Sequence, residues 1–249
     1  MHFHVPKPLH GWREFAGEVG IIVLGVLIAL GFEQLAEAAH DRIVANHARD
    51  AIRAEVGENL WWLQGRKDIE PCVNRRLAQL GRLLDQARQG ATFAPIPQLG
   101  ILPHSKITTR RWEANAQAGR ASLFSESELR FLGNMYYTTD QFEEAQDQEE
   151  TLWSKMRSIE GLRQLTPLDI HDLSIFLAEA RYQNFIVQLT LTRAQQWADQ
   201  LHIAAANPGN VEKLNNPNHV SNWVEGSQLC QPLDRPGASD GSSTSDIEP

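Results

Sequence analysis

Gly237-Ala238-Ser239-Asp240-Gly241 has the G-x-S-x-G form that, in hydrolases, lifts a serine nucleophile on a strained strand-to-helix turn beside a histidine. That chemistry needs an apolar strand ahead of the serine. Here the neighbours are Ser, Thr, Asp and Pro, so no nucleophile is assigned. His40 and His47 share a helix face with Asp50, the kind of face a metal uses. Two full turns separate them, about 10.5 Å, too far for one ion, and the chain contains no H-x-x-x-H pair. His171-Asp172 reads as acid favoured near a helix N-terminus rather than as a catalytic dyad. Neither a C-x-x-C motif nor a phosphate-cradling glycine loop is present. No catalytic, cofactor or metal residue follows from these patterns.

Cys72 and Cys230 are the only cysteines. In an oxidising compartment an even count predicts a bridge. Such a bond would pin the polar segment from Asn207 to Asp234 against the base of a helix. The chain-entropy argument for a loop of this size gives roughly 5 kcal/mol. Glu143, Glu144, Asp147, Glu149 and Glu150 form an acidic stretch, read as a solvated helix face. Trp61, Trp62, Trp112, Trp153 and Trp197 fall at helical spacing and read as core rather than as a ligand pocket. Arg110-Arg111-Trp112-Glu113 reads as a local charge cluster capping a short helix.

These residues must be positioned by helices, because strand signals are rare. Ala39, Ile43, Ile52, Val56, Leu60 and Leu63 recur at helical spacing and predict a stalk running from Leu35 to Gln64, about 45 Å long. Pro71 suits the first turn of a second helix carrying Val73, Leu77, Leu80, Leu84 and Ala87, stopped by Gly90. Pro95, Pro97 and Pro103 mark residues 91–107 as a loop crossing the domain. A short helix is expected from Thr109 to Gly119. Ser125 with Glu128 is a capping-box signal, opening a helix through Leu129, Leu132, Tyr136 and Phe142 toward Glu160. Thr166-Pro167 begins the last helix, with Leu173, Phe176, Ala180, Leu189 and Trp197 on its buried side and Asn207-Pro208-Gly209 at its end.

Val19 to Phe32 reads VGIIVLGVLIALGF, uncharged and fenced by Glu18 and Glu33. Extending the run to Phe15–Leu35 gives about 32 Å of helix, enough for a hydrocarbon core of about 30 Å. It shows none of the polar residues that interrupt a soluble amphipathic helix. Trp12 stands where an interfacial anchor belongs, and Glu18 falls near one interface. Gly25 and Ala29 form a small-xxx-small face through which two spans can approach, predicting a homodimer contact. Ala36-Glu37-Ala38 offers a signal-peptidase site, but it lies inside continuing helical pattern, so an uncleaved signal anchor is expected.

The segment from Gly17 to Gln34, GEVGIIVLGVLIALGFEQ, resembles the N-terminal signature of uncharacterised bacterial single-span membrane proteins carrying a domain of unknown function. Gly17, Glu18, Gly25, Leu27, Ile28, Ala29 and Leu30 match that signature in order. The likeness covers the first forty or so residues. Phe32-Glu33-Gln34 departs from the Asn-Asn-Trp-like motif expected there. It implies an inner-membrane protein of unassigned activity and carries over no catalytic residue.

The expected object is all-α: a transmembrane helix continuing into a stalk and an antiparallel helical bundle. The organisation is a short cytoplasmic N-terminus at 1–14, a span at 15–35, a helical domain with its stalk at 36–234 and a disordered tail at 235–249. A single span with a short leader predicts the domain on the periplasmic side. A net charge of −8 disfavours nucleic acid as a partner. The expected partners are the lipid bilayer and another envelope protein. A membrane-anchored structural or interaction module is the leading function. The alternative is a ligand-binding accessory domain with a small molecule in the bundle core. A cavity lined by polar groups would favour the alternative, and a packed core with an exposed apolar patch the leading reading.

Overall fold

The computed structural model describes residues 11–207 and 228–233. Their secondary structure is helical, without strands: α1 (Trp12–Asp68), α2 (Glu70–Arg88), α3 (Arg110–Gln117), α4 (Glu126–Met156) and α5 (Pro167–Leu201). At 57 residues, α1 is about 85 Å long.

Pro71 interrupts this helix without reversing it. Ile69 keeps helical dihedrals (φ −87°, ψ −7°), so α2 continues the direction of α1 after a single residue. The partners along α5 show this, because they run steadily backward. Arg53 donates to Leu201 O, Asn184 to Asn74, and Arg181 to Leu77 O. α5 is therefore antiparallel to the α1–α2 rod. α4 is parallel to the rod, as Arg49–Glu128, Tyr136–Glu55 and Arg66–Glu149 advance together. The bundle thus contains three long helices. Its remaining flank is covered by residues 91–109, which run back along it in extended form.

Two apolar clusters stack along the bundle. One joins Ile52, Val56, Leu60 and Leu63 of α1 to Met135, Tyr136 and Phe142 of α4 and to Val187 and Ala194 of α5. The other joins Val73, Leu77, Leu80 and Leu84 of α2 to Trp153 and Met156 and to Leu173, Leu177 and Ala180. The predicted face of the second helix is thus the core face.

α4 and α5 each begin with a capping box. Ser125 and Glu128 cap α4 as the sequence predicts, and Thr166 with Asp169 does the same for α5. Each cap satisfies N–H groups that the first helical turn leaves unpaired.

Two boundaries differ from the sequence reading. α5 stops at Leu201, ahead of Asn207-Pro208-Gly209, because His202 turns left-handed (φ 53°) and Arg53 binds the carbonyls of Leu201 and His202. The following stretch then lies on α1, where Ala206 N donates to Gly57 O at 2.9 Å. A side chain at Gly57 would crowd Ala204 O and Ala206 Cβ at 3.1 Å. The second difference concerns the stalk. Ala39 and Ile43 fit its apolar pattern but are exposed, and the first buried position is Ala45.

Candidate functional site

From Phe15 to His40 no residue is buried among the described residues, and none of the most apolar 18-residue window of the helix is buried. This part of α1 is long and apolar enough to cross a membrane. Trp12 is 80% exposed, and Glu18, Gly25 and Ala29 are exposed along the same bare rod.

A second apolar surface lies on the bundle. Leu168, Ile175 and Tyr182 follow one another at seven-residue intervals along α5, with Phe185 one turn beyond, and all four are exposed. Tyr182 and Phe185 stand between two grooves. The groove between α4 and α5, about 730 Å³, is lined by Asp147, Leu152, Lys155, Ala178, Glu179 and Tyr182 among others. The smaller one between α2 and α5, about 280 Å³, includes Asn74, Leu77, Arg181, Asn184 and Phe185. A third recess, about 1160 Å³, opens between α2 and residues 92–98 beside Leu233.

Beneath this ridge is a buried charge pair. Arg66 Nη2 donates to both Glu149 oxygens (3.1 and 2.9 Å) and to Asn184 Oδ1 (3.3 Å), and both charged side chains are 1% exposed. Asn184 Nδ2 in turn donates to Asn74 Oδ1 at 2.8 Å, on the wall of the smaller groove. Burial pushes the Glu149 carboxyl above its ordinary range while the Arg66 guanidinium pulls against it. Arg66 Nη1 is buried without a hydrogen-bond partner among the described residues. The pair therefore fixes the relative placement of α1, α4 and α5 more clearly than it stabilises them. It also corrects the reading of the acidic stretch: Glu149 belongs to the core, because its turn of α4 faces α1. Glu144, Asp147 and Glu150 stay exposed and Glu143 is half-buried.

Polar side chains from the long helices also hold the extended segment. Glu55, fully buried, accepts N–H bonds from Arg111 (2.7 Å) and Trp112 (3.1 Å) in the first turn of α3, and the Tyr136 hydroxyl at 2.7 Å. A carboxylate suits a helix N-terminus, so the cap predicted of Arg110–Glu113 is supplied by α1 instead. Arg111 pairs with Glu58, and Glu113 accepts from Thr109. The Tyr136 phenol is pushed well above its usual range by burial and by the Glu55 charge. Asn59 exchanges two bonds with the backbone of Thr108, and Gln146 does the same with Ser105. These side-chain amides supply the partners that a neighbouring strand would give an extended chain.

At the far end Cys72 and Cys230 meet at disulfide distance, with α-carbons 4.7 Å apart. Arg76, 1% exposed, donates to Gln228 O, Leu229 O and Gln231 O at 2.6, 3.2 and 2.8 Å. Burial lowers its pKa to about 10, with Glu160 opposing. Gly100 (φ 87°) lies so close to Leu229 that any side chain there would collide with its backbone. Residues 228–233 are thus docked on the base of α2. The rest of the 207–234 segment (Pro208 to Ser227, and Asp234), the residues at 235–249 including the G-x-S-x-G motif, and the first ten residues lie outside the described residues.

The tryptophans divide between core and edge. Trp153 is buried and donates to Gly100 O at 2.9 Å, Trp112 stacks on Tyr136 at 5.1 Å, and Trp61 meets Trp62 edge-on. His40, His47 and His171 are exposed. The histidine that reaches other metal-binding groups is His104, and sequence reading passed over it because its neighbours are more than forty residues away. Compared with known proteins, the chain matches no family model, no curated protein and no solved structure.

Proposed function

We propose that the protein is a membrane-anchored helical interaction module of the bacterial envelope. In this reading residues 15–35 cross the inner membrane once, and the bundle stands in the periplasm on the continuous α1 rod. The α5 ridge of Ile175, Tyr182 and Phe185 meets another protein. The observation that carries the reading is the contrast within one unbroken helix between a bare apolar half and a half enclosed by the bundle. An apolar window with no residue buried would be insoluble unless lipid or protein covered it. The α5 ridge of Ile175, Tyr182 and Phe185 is exposed, which supports a contact surface. The cysteine pair fits an oxidising compartment, where the bond would persist.

Three measurements test it. The protein should stay in the membrane pellet after carbonate washing and keep its N-terminus, whereas a soluble mature chain beginning at Ala39 would establish a cleaved signal peptide. Alkaline phosphatase fused after Leu201 should be active, and activity of a cytoplasmic reporter at that position would reverse the topology. A photo-crosslinker replacing Tyr182 should capture one discrete envelope protein that the same probe at exposed Asp199, elsewhere on α5, does not. Identical patterns at both positions would remove the α5 contact. Gly25 and Ala29 remain the proposed helix-approach face of the span. Gly25→Ile should abolish the crosslink that a cysteine introduced into the span forms between two copies.

A further inference from the structure

Three potential metal donors from two elements converge on the outer face of α4. Asp147 and Glu150 stand one turn apart on that helix, and His104 comes from the extended segment. Their ligand atoms all lie within 4.8 Å of one another, and His104 Nδ1 is 3.3 Å from Glu150 Oε2. Two donors bound to one tetrahedral first-row ion at about 2.0–2.1 Å are themselves roughly 3.3 Å apart. The His104–Glu150 edge therefore already has the required length, and rotation of the exposed Asp147 side chain closes the third position.

We propose that His104, Asp147 and Glu150 bind one divalent transition-metal ion that fastens the extended segment to α4. Two properties separate this cluster from an ordinary acidic surface. The first is the donor set. An imidazole with two carboxylates selects zinc, copper or nickel over calcium or magnesium, which take oxygen. Water, or a side chain of a docked protein, completes the coordination. The second is charge. Among the described residues Asp147 forms no ion pair with Lys or Arg, and the one ionic partner of Glu150 is His104. A neutral imidazole and two carboxylates sum to −2, which a dication balances. The imidazole is also delivered independently of any ion, because buried Gln146 holds the adjacent Ser105 backbone through both its N–H and its C=O. Asp147 lies on the rim of the α4/α5 groove as well, so the ion would sit at the edge of the proposed contact face without depending on it.

The test is titration calorimetry of the full-length, chelator-stripped protein in detergent with zinc chloride, and with calcium chloride as comparison. All three side chains are exposed, so His104→Ala and the pair Asp147→Asn with Glu150→Gln should keep the helical circular dichroism. The expected result is one zinc ion per chain, no comparable calcium binding, and affinity weakened by roughly tenfold or more in both variants. With copper, electron paramagnetic resonance should show coupling to a single imidazole that His104→Ala removes. His2→Ala with His4→Ala controls for the N-terminal histidines and should leave the isotherm intact. Equal isotherms for wild type and His104→Ala, or loss of binding only in the N-terminal variant, would overturn the proposal.

Discussion

The two halves of α1 share one backbone and one secondary structure but face opposite environments. Between Val19 and Phe32 the helix is apolar all round and none of its residues is buried by the described residues. Between Ala45 and Leu63 the helix buries one stripe, Ala45, Ala48, Ile52, Val56, Leu60 and Leu63, while Ala54 on another face is exposed. The polar positions differ even more. Glu18 and Glu33 at the ends of the first half point outward without partners in the bundle, whereas Glu55, Asn59 and Arg66 in the second are buried and paired. Helical propensity is therefore no guide to role here. The distribution of apolar residues around the helix separates the bare half from the enclosed one.

The largest effect should come from breaking the buried pair. Arg66→Met leaves Glu149 buried without its counter-ion and should cost about 3–5 kcal/mol. The double replacement Arg66→Met with Glu149→Leu should recover most of that loss in denaturant unfolding. Glu33→Gln, an exchange of charge in the bare half, should leave the transition unmoved. An equal loss in both would erase the distinction between the halves. Next in size, Leu60→Ala opens a cavity in the core and should cost about 2–5 kcal/mol. Leu27→Ala should leave the thermal midpoint of the solubilised bundle where it was.

Val26→Arg reverses the comparison. It should weaken membrane insertion by about 2.5–3.5 kcal/mol and release part of the protein to the soluble fraction. That released protein should still show the helical bundle by circular dichroism.

The smallest effect concerns the start of α4. Ser125→Ala should cost about 1 kcal/mol. Its hydrogen-bond partner Glu128 is held below the ordinary glutamate pKa of 4.5, first by the Arg49 hydrogen bond. A carboxylate with a lowered folded pKa adds stability above its unfolded pKa and loses it as pH falls through the folded one. Wild-type stability should therefore drop on acidification below about pH 4.5 more steeply than in Glu128→Gln.

Much of the architecture was legible. The capping pattern of Ser125 and Glu128 is local, and a local rule predicts it. The face of α2 shows in the spacing of Val73, Leu77, Leu80, Leu84 and Ala87 because that spacing is set by helix geometry. The even cysteine count, taken with an oxidising compartment, predicts a Cys72–Cys230 bridge, and the two stand at disulfide distance. The candidate metal donors were not legible, because His104 and Glu150 meet only through the path of a loop. Glu149 was misread for the same reason: its neighbours in sequence are surface acids, and its partner Arg66 is distant.

The sequence by itself determined that the chain is helical, that one stretch is too apolar for water, and where most helices start and stop, because these depend on contacts within a few residues. Only the tertiary structure decided that α2 prolongs α1 despite Pro71, that residues 91–109 are held by Asn59 and Gln146, and that Glu55 caps α3. It also decided that α5 keeps one apolar edge in solvent. Those outcomes depend on which distant groups share a site, and hydrogen bonding and packing settle that only when the whole chain has folded.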